Sequence, residues 1–236
     1  MGYVENPKTK DSGIACAIPQ KGRCPFGCKG CFYQSGRGYL EPLEERTPNM
    51  PPVVPGQVVR VNDGNDSTNA FYLVVAETKK YPDRFFNTSF PNRLPDFPGP
   101  VVLTLNPGEM TNRNFWKVEA VDPLMFVRFR VNTWNLRLAE DAVRWYSARE
   151  VTTVLTFMAY DTLAEIPEAE WWAYAERVRT LNRYFAITAG AWEHVMEHFR
   201  RNPWVSSCGH HEGVDTHCRH CGNCLREYHA WKEKHR

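Results

Sequence analysis

No run of this sequence is apolar for long enough to span a bilayer as a helix. That excludes a protein anchored by transmembrane helices. Its first eight residues lack the apolar core of a secretory signal, so a reducing cytoplasm is the expected location. Net charge is only +2, too small by itself to imply a nucleic-acid partner. There is no internal repeat and no low-complexity linker, which argues against a repeat array. What is present is a globular composition. The 236 residues are 42% hydrophobic and 13% aromatic, enough for one large α/β domain or for one domain with a small appendage.

The chain is not poor in cysteine. It has eight, and all but Cys16 fall into two tight groups. Cys24, Cys28 and Cys31 are spaced C-x3-C-x2-C, and Cys208, Cys218, Cys221 and Cys224 end in a C-x2-C-x2-C run. A disulfide framework belongs to small secreted domains. Cysteines two or three residues apart point instead to metal ligation.

The first group supplies three thiolates, whereas an iron–sulfur cluster is usually held by four. Three thiolates can hold three irons of a [4Fe-4S] cluster and leave the fourth open to a small chelating ligand. Gly27 and Gly30 let the loop wrap closely, and Phe26, Phe32 and Tyr33 can shield an inorganic core. Zinc would want a fourth protein ligand, and no histidine lies near this loop. Cys16 could close the site, although its apolar strand context suits a small core residue better.

The second group offers four thiolates and so a closed site, suited to structure or electron relay. His210, His211, His217 and His220 are interspersed and keep zinc open beside a second [4Fe-4S] cluster. The last twelve residues carry Arg226, Lys232, Lys234 and Arg236 with Tyr228 and Trp231. They read either as a basic, aromatic nucleic-acid-binding helix or as a solvated helix closing the fold.

Between the groups, strand and helix patterns alternate. Strands are expected at 14–18, 57–62, 84–89, 101–105, 125–131 and 151–157, with a candidate seventh at 184–187. Helices are expected at 69–80, 136–146, 169–181 and 191–200, and residues 33–56 form a long excursion. This order predicts an α/β fold with a parallel sheet covered by helices. Asp63, Asp66, Asn106, Asn132 and Asp161 fall near the C-terminal ends of strands, where parallel folds bind ligands. Arg128 and Arg130 share one strand face, either as ligand contacts or as an outer-face salt bridge.

A first strand leading into Cys24-x3-Cys28-x2-Cys31, followed by successive βα units, resembles the radical S-adenosylmethionine (SAM) enzymes. The resemblance covers roughly residues 12–190 and implies a partial (β/α)6 barrel. It divides the chain into a barrel at 1–200 and a cysteine-rich metal-binding module at 201–236. It implies that Cys24, Cys28 and Cys31 hold a [4Fe-4S] cluster whose fourth iron binds SAM. Reductive cleavage of SAM then yields a 5′-deoxyadenosyl radical that abstracts a hydrogen atom from the substrate. The cofactor contacts it implies are Phe32, Asp63, Gly64, Asp66, Asn106, Arg128, Arg130 and Asn132. Two positions depart from the family pattern: Gly30 stands where an aromatic usually precedes the third cysteine, and Asp63-Gly64-Asn65-Asp66 stands where Gly-Gly-Glu is common. The implied partners are a reductase or flavodoxin-type electron donor and a small-molecule, nucleotide or nucleobase substrate. The competing reading is a non-catalytic iron–sulfur or zinc protein that binds nucleic acid or a protein partner. A fourth ligand at the first site would favour it.

Overall fold

Short β-branched and aromatic runs between polar turns make the strands. In a computed structural model, residues 2–28, 31, 39–40, 48–106, 116–119, 122–179, 182–208 and 217–236 are described. In chain order the elements are β1 (Ile14–Ala17), β2 (Val58–Val61), α1 (Phe71–Thr78), β3 (Arg84–Thr88), β4 (Val101–Leu105), β5 (Leu124–Val131), α2 (Leu136–Ser147) and β6 (Thr153–Phe157). There follow β7 (Ala159–Tyr160), β8 (Tyr174–Arg179), β9 (Asn182–Ile187), α3 (Ala189–Glu197), β10 (Val205–Ser207), the single turn α4 (Cys218–Cys221) and α5 (Asn223–Lys234).

Seven strands form one sheet in the order β1-β2-β3-β4-β5-β6-β10, and every pairing is parallel. Spatial order follows chain order, so the strand order never reverses. The two faces of the sheet bury different sets of side chains, as the period of two requires. One face carries Val59, Val61, Phe86, Leu103, Leu105, Val127, Phe129 and Leu155 and packs into the main core with side chains of α1, α2 and α3. In α2 the buried residues Ala139, Ala142, Val143 and Tyr146 recur at helical spacing, so one stripe of the helix faces the sheet. The other face carries Val58, Phe85, Val102, Phe126 and Val154, and Tyr228 of α5 packs against it.

Three expectations are corrected. The described residues of the helix expected at 169–181, up to Arg179, are not α-helical. A 3-10 segment, Glu168–Ala173, runs into β8, which pairs antiparallel with β9. The helical stripe fails because Trp171, Trp172 and Val178 are exposed, while Ala173 and Tyr174 are buried. The strand expected at 184–187 exists, but it is the middle strand of a separate antiparallel sheet, β7-β9-β8. The seventh parallel strand is β10, and it lies beyond residue 200. It pairs with β6, and Tyr228 of α5 packs on the second face of the sheet. Asp161 follows β7 rather than a strand of the main sheet. Among the described residues no helix is long and apolar enough to cross a membrane.

Candidate metal centres

The first cysteine loop begins where β1 ends. Ile18 bridges to Asn49 by two backbone hydrogen bonds of 2.8 and 2.9 Å. Gln20 Nε2 donates to the carbonyls of Asp66 (3.0 Å) and Asn69 (2.9 Å) beyond β2. The Phe26 ring lies 4.4 Å from that of Phe90, just past β3. These ties hold Cys24, Cys28 and Cys31 over the C-terminal ends of β1, β2 and β3. Gly27 adopts a left-handed φ of +56°, which suits glycine. The Cys31 amide donates to the Cys28 carbonyl at 3.0 Å, which closes a tight turn. Burial pushes the Cys24 thiol above its ordinary value, and nearby Asp66 and Cys31 add to the rise. Gly30, Phe32 and Tyr33 lie outside the described residues.

Under this loop is a polar layer. Asp66 is buried, and both of its carboxylate oxygens are taken. Oδ1 accepts from the Thr68 amide (2.9 Å), Thr68 Oγ1 (2.7 Å) and Thr88 Oγ1 (2.8 Å), and Oδ2 accepts from the Ser89 amide (2.6 Å). It stitches the turn after β2 to the end of β3 and has little left for a ligand. Burial nevertheless raises its pKa. Asp63 is paired with Arg60 at 2.8 Å and accepts from Asn6. Gly64 lies in the same turn. Asn106 accepts from Arg130 Nη1 at 3.2 Å. Asn132 donates to the Tyr160 hydroxyl (3.0 Å) and accepts from the Asn135 amide (2.8 Å), shaping the turn into α2. Asn62 and Asn87 complete the layer. The side-chain amide of Asn62 donates to Ser67, and that of Asn87 donates to the Asn62 carbonyl. Their own Oδ1 atoms are buried with no donor among the described residues, as is Gln20 Oε1.

The second cysteine group sits on the face of the sheet that α5 covers. Cys16, Arg60 and Phe85 are neighbours in register across β1, β2 and β3, and Arg128 pairs with Thr104 and Val154 across β4, β5 and β6. Alternation places Arg60 and Arg128 on that same face, not on the outer one. Arg60 Nη1 lies 4.0 Å from Cys218 Sγ, and Arg128 Nη2 lies 3.9 Å from Cys224 Sγ. Gly222 ends α4 at a left-handed φ of +65°, and this sends the chain directly into α5 with Cys224 in its first turn. Its hydrogen bond with Cys221 is the largest cause holding the Cys208 thiol well above its ordinary value. Burial raises Cys218, Arg60 opposes that, and Cys208 and Cys224 add to the rise. Cys208 thus lies beside Cys221, and Cys218 senses Cys208 and Cys224.

Cys16 does not join the first loop. It is fully buried, 3.4 Å from Arg60 Nη2 and 3.7 Å from Thr9 Oγ1. Burial, with Asp63 adding, lifts its thiol to about 12 against the pull of Arg60. None of the eight cysteines is in a disulfide. Among the described residues no three Cys, His, Asp or Glu side chains form a ready-made metal site. A cleft of about 310 Å³ opens at the opposite end of the sheet, between Gly56, Val58, Asp83 and α5, away from the first cysteine loop.

Sequence reasoning missed Gln20, Asn62, Asn87 and Arg60. Arg60 carried a signal, as the one charge inside the apolar run Val58-Val59-Arg60-Val61. Asn62 and Asn87 fall at strand ends like Asn106 and Asn132, a repetition visible once the strands are aligned. Comparison with protein-family models, with curated proteins and with solved structures gave no match.

Proposed function

We propose that this chain is a radical SAM enzyme. Cys24, Cys28 and Cys31 are its cluster ligands, and the C-terminal cysteines hold a second metal. The observation that carries the reading is a three-thiol loop standing over buried acceptors that lack donors, Asn62 Oδ1 and Asn87 Oδ1, at the C-terminal ends of parallel strands. A buried acceptor without a partner costs free energy unless a ligand supplies the donor. An ammonium or amide group of a bound cofactor would do so. The donor set also fits an open site. The carboxylate beside Cys24 is that of Asp66, already saturated by four donors, and Cys16 is turned toward Arg60. Strands stepping one way through the sheet support the partial barrel, because right-handed crossovers then fall on one face.

When bound, a [4Fe-4S] cluster and SAM would supply one-electron reductive cleavage and hydrogen-atom abstraction, with Cys24, Cys28 and Cys31 as the residues that hold the cluster. The chain's own residues bind and shield. Cys24, Cys28 and Cys31 would hold three irons. Phe26, paired with Phe90, would shield one side of the cluster. Asn62, Asn87 and Gln20 would accept from the cofactor's amino group, displacing Asp66 from that role. Arg130, held by Asn106, would face a carboxylate. Trp134, partly exposed and stacked 5.5 Å from Tyr160, offers a platform for a planar ring and favours a nucleotide or nucleobase among the small-molecule substrates. A reductase or flavodoxin-type donor would supply the electron.

The test is anaerobic reconstitution with iron and sulfide, then dithionite and SAM, with 5′-deoxyadenosine as the readout. Product from the wild type and none from Cys28→Ala is the expected result. About eight irons per chain would mean two clusters, and about four irons with one zinc would make the second site structural. A formed cluster without product, or product retained in Cys28→Ala, would overturn the enzyme reading in favour of a non-catalytic metalloprotein.

A further inference from the structure

We propose that Arg60 and Arg128 are the counter-cations of the C-terminal four-cysteine site, which takes a divalent metal core carrying a double negative charge once its four thiolates are bound. This rests on reading Cys208, Cys218, Cys221 and Cys224 as ligands of one metal centre.

The argument begins with a charge in the wrong place. Arg60 is 7% exposed in the middle of a strand whose neighbours are valines. A buried guanidinium is retained only when its charge and its donors are matched. Asp63 matches the charge through Nη2. Nη1 is aimed elsewhere, at Cys218 Sγ, 4.0 Å away. A neutral thiol is a weak acceptor for a desolvated guanidinium, whereas a metal-bound thiolate is a charged one.

Arg128 repeats the arrangement from the far side of the same face. It reaches the sheet side of Cys224 at 3.9 Å. The backbone of Lys8 also meets this group, its carbonyl accepting from the Cys218 amide at 2.8 Å. Arg219 is paired outward with Asp11 at 3.7 Å and is not part of this set. Among the described residues, the guanidinium groups that reach these sulfurs are those of Arg60 and Arg128. A divalent core bound by four thiolates, whether one zinc ion or an oxidised [4Fe-4S] cluster, carries two negative charges, which these guanidinium groups partly offset.

The arrangement also explains why the cations come from β2 and β5, far from the cysteines in sequence. Cys208 follows β10, Cys218 and Cys221 lie in α4 and Cys224 in α5, and β2 and β5 bring their arginines to Cys218 and Cys224 from the sheet. Arg60 and Arg128 act on the metal through the thiolates, as positioning residues. Removing such outer partners weakens metal binding by roughly 10–100-fold.

The test uses the full chain with Cys24, Cys28 and Cys31 replaced by alanine, so that only the C-terminal site can bind. Cobalt(II) is titrated anaerobically, the thiolate-to-cobalt absorption band is followed, and zinc is used in competition. Arg60→Met and Arg128→Met should each lower cobalt affinity about tenfold or more, while Arg60→Lys and Arg128→Lys retain most of it. Far-UV circular dichroism reports whether each variant is folded. If Arg60→Met does not fold, Arg128→Met, at a half-buried position, decides. Wild-type cobalt affinity in folded Arg→Met variants would overturn the proposal while leaving the metal site standing. Absence of the band in the arginine-intact protein would instead overturn the metal-site reading itself. Cys221→Ser, which removes one thiolate, should reduce the band by about a quarter if four sulfurs bind.

Discussion

Asp66 shows how one side chain can tie the ends of two strands together. Four donors converge on its carboxylate, and they come from both the β2 turn and the end of β3. Asp66→Ala would leave these donors buried without an acceptor, and each orphan costs about 1–3 kcal/mol before relaxation. We expect a net loss of about 2–4 kcal/mol in denaturant unfolding. Asp66→Asn should lose less, since one oxygen remains for the threonines while its amide meets the Ser89 N–H. Equal loss for both would show that the carboxylate is not the tie described here. Gly27 is the complementary case. Its φ of +56° has open space around an added Cβ, so Gly27→Ala should cost only the left-handed conformation, about 1–2 kcal/mol. With the proposed cluster reconstituted, faster loss of its iron, with the remainder of the protein unfolding normally, is the expected signature.

At the level of elements, α5 decides how the second face of the sheet is closed. Tyr228 is 3% exposed and packs on Phe85 with ring centroids 6.3 Å apart. Its hydroxyl donates to Asp83 at 2.9 Å, and Lys232 donates to the same oxygen at 2.7 Å. Tyr228→Ala should cost about 3–5 kcal/mol, and Tyr228→Phe about 1 kcal/mol, both read by thermal or denaturant melts. The hydrogen bond from Lys232 is the first cause holding the Asp83 carboxyl below its ordinary value of 3.8. A lowered acid contributes stability that is present above 3.8 and fades as pH falls through the lower folded value. Both side chains are partly solvated, so the contribution is about 0.5 kcal/mol. Lys232→Met should therefore differ from wild type by that much at neutral pH and converge with it in acid. A gap that widened in acid would contradict the pairing. The aromatic residues that suggested a nucleic-acid helix, Tyr228 and Trp231, face the sheet instead.

Over the whole molecule, the C-terminal segment is integral to the main sheet. β10 pairs with β6, and α5 covers Val58, Phe85, Val102, Phe126 and Val154. Ending the chain at residue 204 would expose that apolar face. The truncated protein should bind a hydrophobic dye and lose its near-ultraviolet dichroism and its cooperative melt. A sharp melt near that of the full chain would instead establish an autonomous 201–236 module. The same architecture places the two cysteine groups on one sheet, the first over the C-terminal ends of β1 to β3 and the second against Arg60 of β2 and Arg128 of β5. Arg60 touches both regions, through Asp63 in the turn below the first loop and through Cys218 in the second group.

Local spacing alone carried much of this. The parallel α/β class was legible because strand and helix periodicities are properties of neighbouring residues, and the core strands fell within a residue or two of expectation. The two cysteine groups were legible as groups for the same reason, since their spacing is a property of neighbouring residues. The segment at 168–187 was not legible, because Trp171, Trp172 and Val178 imitate a helical stripe while the pairing of β8 with β9 overrides it. The role of Arg60 and Arg128 was not legible either. A strand residue's face is set by register against strands distant in the chain, and what covers that face is set by a helix more than ninety residues later. Tertiary structure alone brought those charges to the sulfurs, because burying a cation requires a partner and the fold supplies that partner from elsewhere in the chain.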